Sequence, residues 1–134
     1  MNNVYETFKI QTPNKESMLD ITNTVKSFVK KHQVKNGHLT IFVPHTTAAV
    51  TINENADPDV QTDMIFGLQN VFPNLKAFQH LEGNSDAHLK SSTFGVDQSI
   101  IIQDGALVLG TWQGIYFCEF DGPRQRNYHI QILF

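Results

Sequence analysis

Of the six histidines in the chain, three stand in polar, turn-rich surroundings where an imidazole is free to act. His45 follows Pro44 at the end of an apolar run and is followed by two hydroxyls, Thr46 and Thr47. His80 precedes the turn-forming "EG", and His88 falls in the first turn of a short helical segment, "DAHLKSSTFG". The positive end of the helix dipole disfavours an imidazolium there and so favours a neutral, metal-competent ring. Three histidines with an open fourth position are a known catalytic zinc arrangement, so His45, His80 and His88 are candidate ligands. Spacing alone does not settle the matter, because His80 and His88 span a turn and do not form an i, i+4 helical pair. The other three, His32, His38 and His129, fall at a helix end, a strand start and the polar side of a last strand, where solvated or structural roles are ordinary.

A second chemistry shares the same stretch. The amides that open the helix at "GNSDAHLK", with Lys90, Ser91 and Ser92, suit phosphate binding at a helix N-terminus. Ser85 or Asp86 serving as a plain helix cap is the competing reading. "NENADPD" gathers Glu54, Asp57 and Asp59, oxygen ligands suited to Mg²⁺ or simply a capped helix start. Trp112 and Gln113, framed by glycines, offer a ring on which a heteroaromatic could stack, and Glu119 lies on the strand beyond. Arg124 and Arg126 in "DGPRQR" share a face if extended and suit bidentate phosphate contact, although exposed strand-end arginines are common. Cys118 lies among apolar strand residues and reads as inert packing.

The elements that must carry these groups are legible in outline. "VYETFKIQT" (4–12) alternates as an opening strand. An amphipathic helix is expected from Ser17 to His32, with Met18, Ile21, Val25, Phe28 and Val29 on one stripe and Ser17 and Asp20 as a capping box. "HLTIFVP" (38–44) and "AVTIN" (49–53) read as two strands joined by a short bend at "HTT". A helix then starts at Asp57 as N-cap with Pro58 at its first position; Val60, Met64, Leu68, Val71 and Phe72 form its expected core face, and Pro73 stops it. The short helix carrying His88 ends at Gly95. "SIIIQ", "ALVLG", "GIYFCEF" and "NYHIQILF" close the chain as strands, separated by turn signals at Asp104-Gly105, Gln113-Gly114 and Asp121-Gly122-Pro123. Helices in the first two thirds and hairpin-spaced strands at the end predict an α+β fold, an antiparallel β-sheet with helices packed on one face.

Composition narrows the function classes. A chain of 134 residues with 40% hydrophobic and 17% charged content is read as one globular domain, residues 1–134, able to bury a core without metal or disulfide staples. A net charge of −3 with no basic stripe gives no electrostatic case for nucleic acid. No apolar run approaches the roughly 18 residues of a membrane span. The start "MNNVYETFKI" lacks the pattern of a signal peptide, and a single cysteine suits a reducing interior, so a cytoplasmic protein is expected.

The blocks "PHTTAAVTINENADPDV", "HLEGNSDAHLKSSTFG" and "GALVLGTWQGIYFCEFDGPRQR" follow one another in the order and spacing of the YjbQ-like family, often labelled secondary thiamine-phosphate synthase. The resemblance runs from the first strand to the last and rests on long, unusual blocks. It implies a compact α+β domain assembled as a homotrimer, with polar clefts near subunit contacts. His45 matches the family's "HT" block, His80 and Glu82 its "H-x-x-E-G", and His88 and Lys90 its "A-H-x-K". Glu54, Asn55 and Asp57 match "N-E-N-x-D-P", while Trp112, Gln113 and Glu119 match "G-T-W-Q-G" and the strand after it. The family's histidines look like a metal or polar catalytic cluster.

The label implies a transferase that joins a pyrimidine-methyl pyrophosphate to a thiazole phosphate. Such a displacement needs charge neutralised on the leaving pyrophosphate and two heteroaromatics held in line. On that reading Lys90, Ser91, Gln113, Arg124 and Arg126 contact substrate phosphate, and Trp112 stacks on a ring. His45, Glu54, His88, Trp112 and Glu119 form the catalytic set. The expected cofactor is a divalent metal on His45, His80 and His88, zinc or another transition metal, with magnesium as the oxygen-ligand option. Two rivals share the cleft: a metal-dependent, phosphatase-like hydrolase with Glu54 or Glu82 as base, and a non-catalytic binder of a phosphorylated metabolite.

Overall fold

In the computed structural model, which describes residues 1–134, the chain order is β1 (Asn3–Gln11), β2 (Ser17–Asp20), α1 (Thr22–Lys31), β3 (Gly37–Phe42), β4 (Ala48–Glu54), α2 (Pro58–Val71), α3 (Ser85–Phe94), β5 (Asp97–Gln103), β6 (Ala106–Leu107), β7 (Gln113–Glu119) and β8 (Gln125–Leu133). The expected α+β class and antiparallel pairing hold. The strands divide between a five-stranded sheet, order β1-β8-β3-β5-β6, and a three-stranded sheet, order β2-β7-β4. Every neighbouring pair in both sheets is antiparallel.

Alternation explains how the larger sheet buries one face. On β8, Tyr128, Ile130 and Ile132 point inward while His129 and Gln131 point outward, as the strand period requires. Leu39 and Ile41 of β3 and Ile100 and Ile102 of β5 join them. The small sheet contributes Val50, Ile115 and Phe117 to the same core, and α1 adds Val25, Phe28 and Val29. β7 has no polar face: Ile115 and Phe117 serve the main core, whereas Tyr116 and Cys118 pack with Ala49, Phe120 and Ala87 of α3 in a second cluster. Such burial on both faces accounts for the unbroken apolar run "GIYFC". It also pushes the Cys118 thiol far above its ordinary pKa, consistent with an inert packing residue.

Four local expectations are corrected. Ser17 to Asp20 are not helical but form β2, pairing Ser17 with Glu119 and Asp20 with Tyr116. There is thus no Ser17–Asp20 capping box; Asp20 Oδ1 instead accepts from the Thr22 amide at 2.9 Å, just as α1 begins. Second, the segments around "HTT" are not a hairpin, because β3 lies in the five-stranded sheet and β4 in the other, so residues 43–47 carry the chain from sheet to sheet. Third, Gln113-Gly114 is no turn but the start of β7. A Cβ on Gly114 would fall 2.5–2.8 Å from the Asn55 side chain, so the glycine answers a close approach. Finally, "ALVLG" is a strand only at Ala106–Leu107.

The boundaries of α2 and α3 fall where expected. Asp57 caps α2 by accepting from the Asp59 amide at 2.9 Å, with Pro58 at the first turn. Its expected core face is only half-buried, however, and Val71 is 68% exposed. α3 ends at Gly95 with φ 93°, a left-handed position that suits glycine. Asp104-Gly105 forms the β5–β6 turn with φ 52° and 80°, the pattern of a tight two-residue hairpin. No helix is long and apolar enough to cross a membrane.

Candidate functional site

The centre of the polar region is an ion pair between the end of β7 and the start of β8. Arg126 donates from Nε to Glu119 Oε1 at 2.8 Å and from Nη2 to Oε2 at 2.5 Å. Both residues are buried, at 3% and 0% exposure. Thr12 donates its hydroxyl to Glu119 Oε1 at 2.8 Å, and the Asp121 amide donates to Oε2 at 3.0 Å. Burial on its own would raise the Glu119 carboxyl. Arg126, the Asp121 amide and Thr12 outweigh it and hold the group below its ordinary value. Arg126 completes its bonds by donating to Thr47 Oγ1 at 2.8 Å. Glu119 and Arg126 are therefore engaged with each other, which removes Arg126 as a ready phosphate clamp and Glu119 as a free catalytic acid.

This network positions His45. The Asn127 amide, next to Arg126, donates to His45 Nε2 at 3.0 Å. A ring nitrogen that accepts a hydrogen bond carries no proton, so neutral His45 has its proton on Nδ1. Burial first, and then the Arg126 guanidinium, lower the pKa and keep the ring neutral. His45 thus presents an Nδ1–H donor, and neither nitrogen is a ready metal ligand: one is occupied and the other protonated.

His80 and His88 come together. Their ring centres lie 5.3 Å apart with planes at 78°. His80 sits in a turn closed by the Gly83 amide donating to its carbonyl at 3.0 Å, with Gly83 at φ 73°. His88 lies in the first turn of α3, its amide donating to the Asn84 carbonyl at 3.3 Å. No group of three or more His, Cys, Asp or Glu side chains in the chain is arranged to hold an ion, so the expected His45–His80–His88 triad is not assembled within one copy.

Lys90 and Ser91 have been drawn inward. Lys90 is 1% exposed, and its ammonium meets Glu16 at 3.0 Å and Asp86 at 3.4 Å. Ser91 donates to the Ala48 carbonyl at 2.6 Å. These contacts fasten α3 to the loop before β2 and to the start of β4; they correct the expectation that both side chains reach out to phosphate. Asn84, rather than Ser85 or Asp86, holds the N-cap position and makes no cap bond; it donates instead to Asp121 Oδ2 at 2.8 Å. Half-exposed Arg124 meets the same Asp121 at 3.3 Å. A continuous polar seam therefore runs from the start of α3 through Asp121, Glu119 and Arg126 to Thr47.

The remaining candidates lie elsewhere. Glu54 pairs with Gln113 at one end of the β4–β7 ladder, and Ala48 pairs with Glu119 at the other. Gln113 and Glu119 are the first and last residues of β7, about 20 Å apart at the usual strand rise. Trp112, 62% exposed, sits with Glu54 and Gln113 at the end far from Glu119. Gln113 accepts from the Gly110 amide at 2.8 Å, which orders the "GTWQG" turn. The expected catalytic set is thus split between two ends of one strand. Thr12 and Glu16 carried no motif signal, while Asn84, Asp121 and Thr47 lay inside quoted motifs without being picked out as site residues.

Comparison with known proteins places this architecture. UPF0047 protein MJ1081 of Methanocaldococcus jannaschii is 52% identical over 126 residues, covering 94% of this chain and 91% of that protein. UPF0047 protein YugU of Bacillus subtilis is 49% identical over 129 residues, covering 96% and 98%. The crystal structure of a YjbQ/UPF0047-family protein from Clostridium acetobutylicum superposes with a TM-score of 0.93 at 51% identity, covering 96% of this chain and 99% of that one. The model of the family described as UPF0047 protein YjbQ-like matches residues 6–134. On sequence and fold together, the chain belongs to the UPF0047, YjbQ-like family.

Proposed function

We propose that the protein is a metal-dependent, phosphatase-like hydrolase of a small phosphorylated metabolite, working in the cytoplasm as a homotrimer. The observation that carries this reading is the His80–His88 pair. Two imidazoles bound to one tetrahedral ion at about 2.0–2.1 Å per nitrogen have ring centres roughly 5 Å apart, and the pair stands at 5.3 Å. Imidazole suits zinc or another transition metal better than magnesium. Two ligands are fewer than a zinc site needs, and association of copies would supply the rest. Large exposed apolar residues such as Phe66, Val71, Leu81 and Trp112 support association.

Bound there, the ion would supply Lewis acidity toward a phosphoryl group. Neutral His45 would donate its Nδ1–H to a phosphoryl or leaving-group oxygen, and Glu82, two residues beyond His80, is the candidate base. Glu54 lies at the other end of the β4–β7 ladder and is set aside. The thiamine-phosphate-synthase-like reading has less support. Its pyrophosphate would need free cations, yet Lys90 and Arg126 are already paired, and its stacking residue Trp112 is remote from Glu119. A non-catalytic binder would use the polar seam but gives the paired histidines no task.

The test is the metal content of purified, untagged protein beside His80→Ala and His88→Ala variants checked for folding. Near-stoichiometric metal that both variants lose, with phosphate-ester hydrolysis abolished by chelator, is the expected result. Wild-type protein that stays metal-free after incubation with zinc or manganese would overturn the proposal.

A further inference from the structure

A concave surface lined by none of His45, His80 and His88 lies between α1 with the loop after it and the β5–β6 hairpin. It has a volume of about 920 Å³, within the range of small-molecule sites. Its polar lining is strongly one-signed. Lys26, Lys30 and Lys35 border it, no acidic side chain does, and none of the three lysines is in an ion pair. In a chain of net charge −3, this is a local reversal of sign. The floor is apolar, made by Val29, Val34 and Leu107. Val29 and Val34 belong to the main core, so the floor is fixed by packing.

The rim is held as well. The Gly105 amide donates to the Lys35 carbonyl at 2.8 Å, tying the hairpin to the loop after α1. The Lys35 stem and ammonium lie alongside Gly105, at ordinary contact distance (3.8 Å) from where a Cβ would stand, and glycine there answers the left-handed backbone at φ 80°. The C-terminal end of α1 faces this region with its partial negative charge, about half a unit, well short of three ammonium groups.

We propose that this cleft is an anion site for a nucleoside di- or triphosphate, phosphates toward Lys26, Lys30 and Lys35 and base on the Val29–Val34–Leu107 floor. Three cations match a ligand of about three negative charges, and an apolar floor beside them asks for a ligand with a ring at the other end. This site is independent of the proposed hydrolase site and would serve as a second, effector-type position.

The probe is adenosine diphosphate, titrated calorimetrically at low salt without added metal, with pyrophosphate and adenosine as controls. Wild-type protein is expected to bind adenosine diphosphate more tightly than about 1 mM, and more tightly than either control. Lys26→Glu/Lys30→Glu and Lys30→Glu/Lys35→Glu, all at exposed positions, should stay folded and lose about tenfold or more in affinity. His80→Ala/His88→Ala should bind as wild type, which separates this site from the metal reading. Absence of binding by wild-type protein, unchanged affinity in both lysine variants, or loss in the histidine variant would each overturn the proposal. Equal affinity for pyrophosphate would overturn the nucleoside assignment, since the apolar floor would then contribute nothing.

Discussion

The main-chain amide of Asn127 donates to Nε2 of His45 at 3.0 Å, and this one contact decides which nitrogen of the ring is left for chemistry. It fixes the Nδ1–H tautomer, while burial and the neighbouring Arg126 guanidinium keep the ring uncharged. Nitrogen-detected NMR should show the Nδ1–H form and a titration midpoint below 6.5, the ordinary histidine value. The sign for stability follows. The unfolded ring takes up a proton more readily than the folded one, so stability is retained above 6.5 and declines as pH falls below it. A midpoint above 6.5 would reverse this assignment.

Glu119→Gln should destabilise the fold by about 3–5 kcal/mol, because it leaves the Arg126 guanidinium buried without its counter-charge. Arg126→Met should cost a similar amount, and the double variant Glu119→Gln/Arg126→Met less than the two costs added together. Urea unfolding of the four proteins completes the cycle. Because the Glu119 carboxyl is held below 4.5, its contribution is present above that value and is lost as pH falls through the lower, folded one. Strict additivity in the cycle would mean that the pair is not coupled.

Lys90→Met separates a buried brace from a substrate contact. Removing the ammonium leaves Glu16 and Asp86 facing each other at a buried position, and a loss of about 3 kcal/mol is expected. A lysine that merely touched phosphate would leave the melting temperature alone and weaken ligand binding only. Thermal melts beside phosphate titrations distinguish these outcomes.

Gly114→Ala should cost about 1–3 kcal/mol by overpacking, since the new methyl would meet the Asn55 side chain at 2.5–2.8 Å. Asn55→Gly in the same chain should restore much of the loss. If Gly114→Ala is neutral in chemical denaturation, the approach between β7 and the loop after β4 is looser than described.

What could be read from the sequence depended on how local the cause was. Asp57 with Pro58, Gly95, Asp104-Gly105 and the alternation of β8 are decided by neighbouring residues, and each is found where it was expected. Ser17 to Asp20 fitted a helical stripe because Met18 and Ile21 are spaced for one. Pairing with β7, about a hundred residues away in sequence, overrides that local fit. The bend at "HTT" hides a change of sheet for the same reason. Among site residues, the approach of His80 to His88 was legible through the family blocks rather than through spacing. The roles of Lys90 and Arg126 were not, since what restrains a cation is its partner, and Glu16 lies 74 residues from Lys90.

β7, packed on both faces and paired on both edges, has a consequence for how the molecule breathes. Its amides are those that deuterium should reach last, after the hairpin at Asp104-Gly105 and the exposed faces of α2 have exchanged. Glu119 ends this strand and anchors Arg126, Thr12 and the Asp121 turn. Loosening of the His45 edge is therefore expected to accompany the opening of β7 rather than precede it, and the amides of residues 43–47 should exchange late as well.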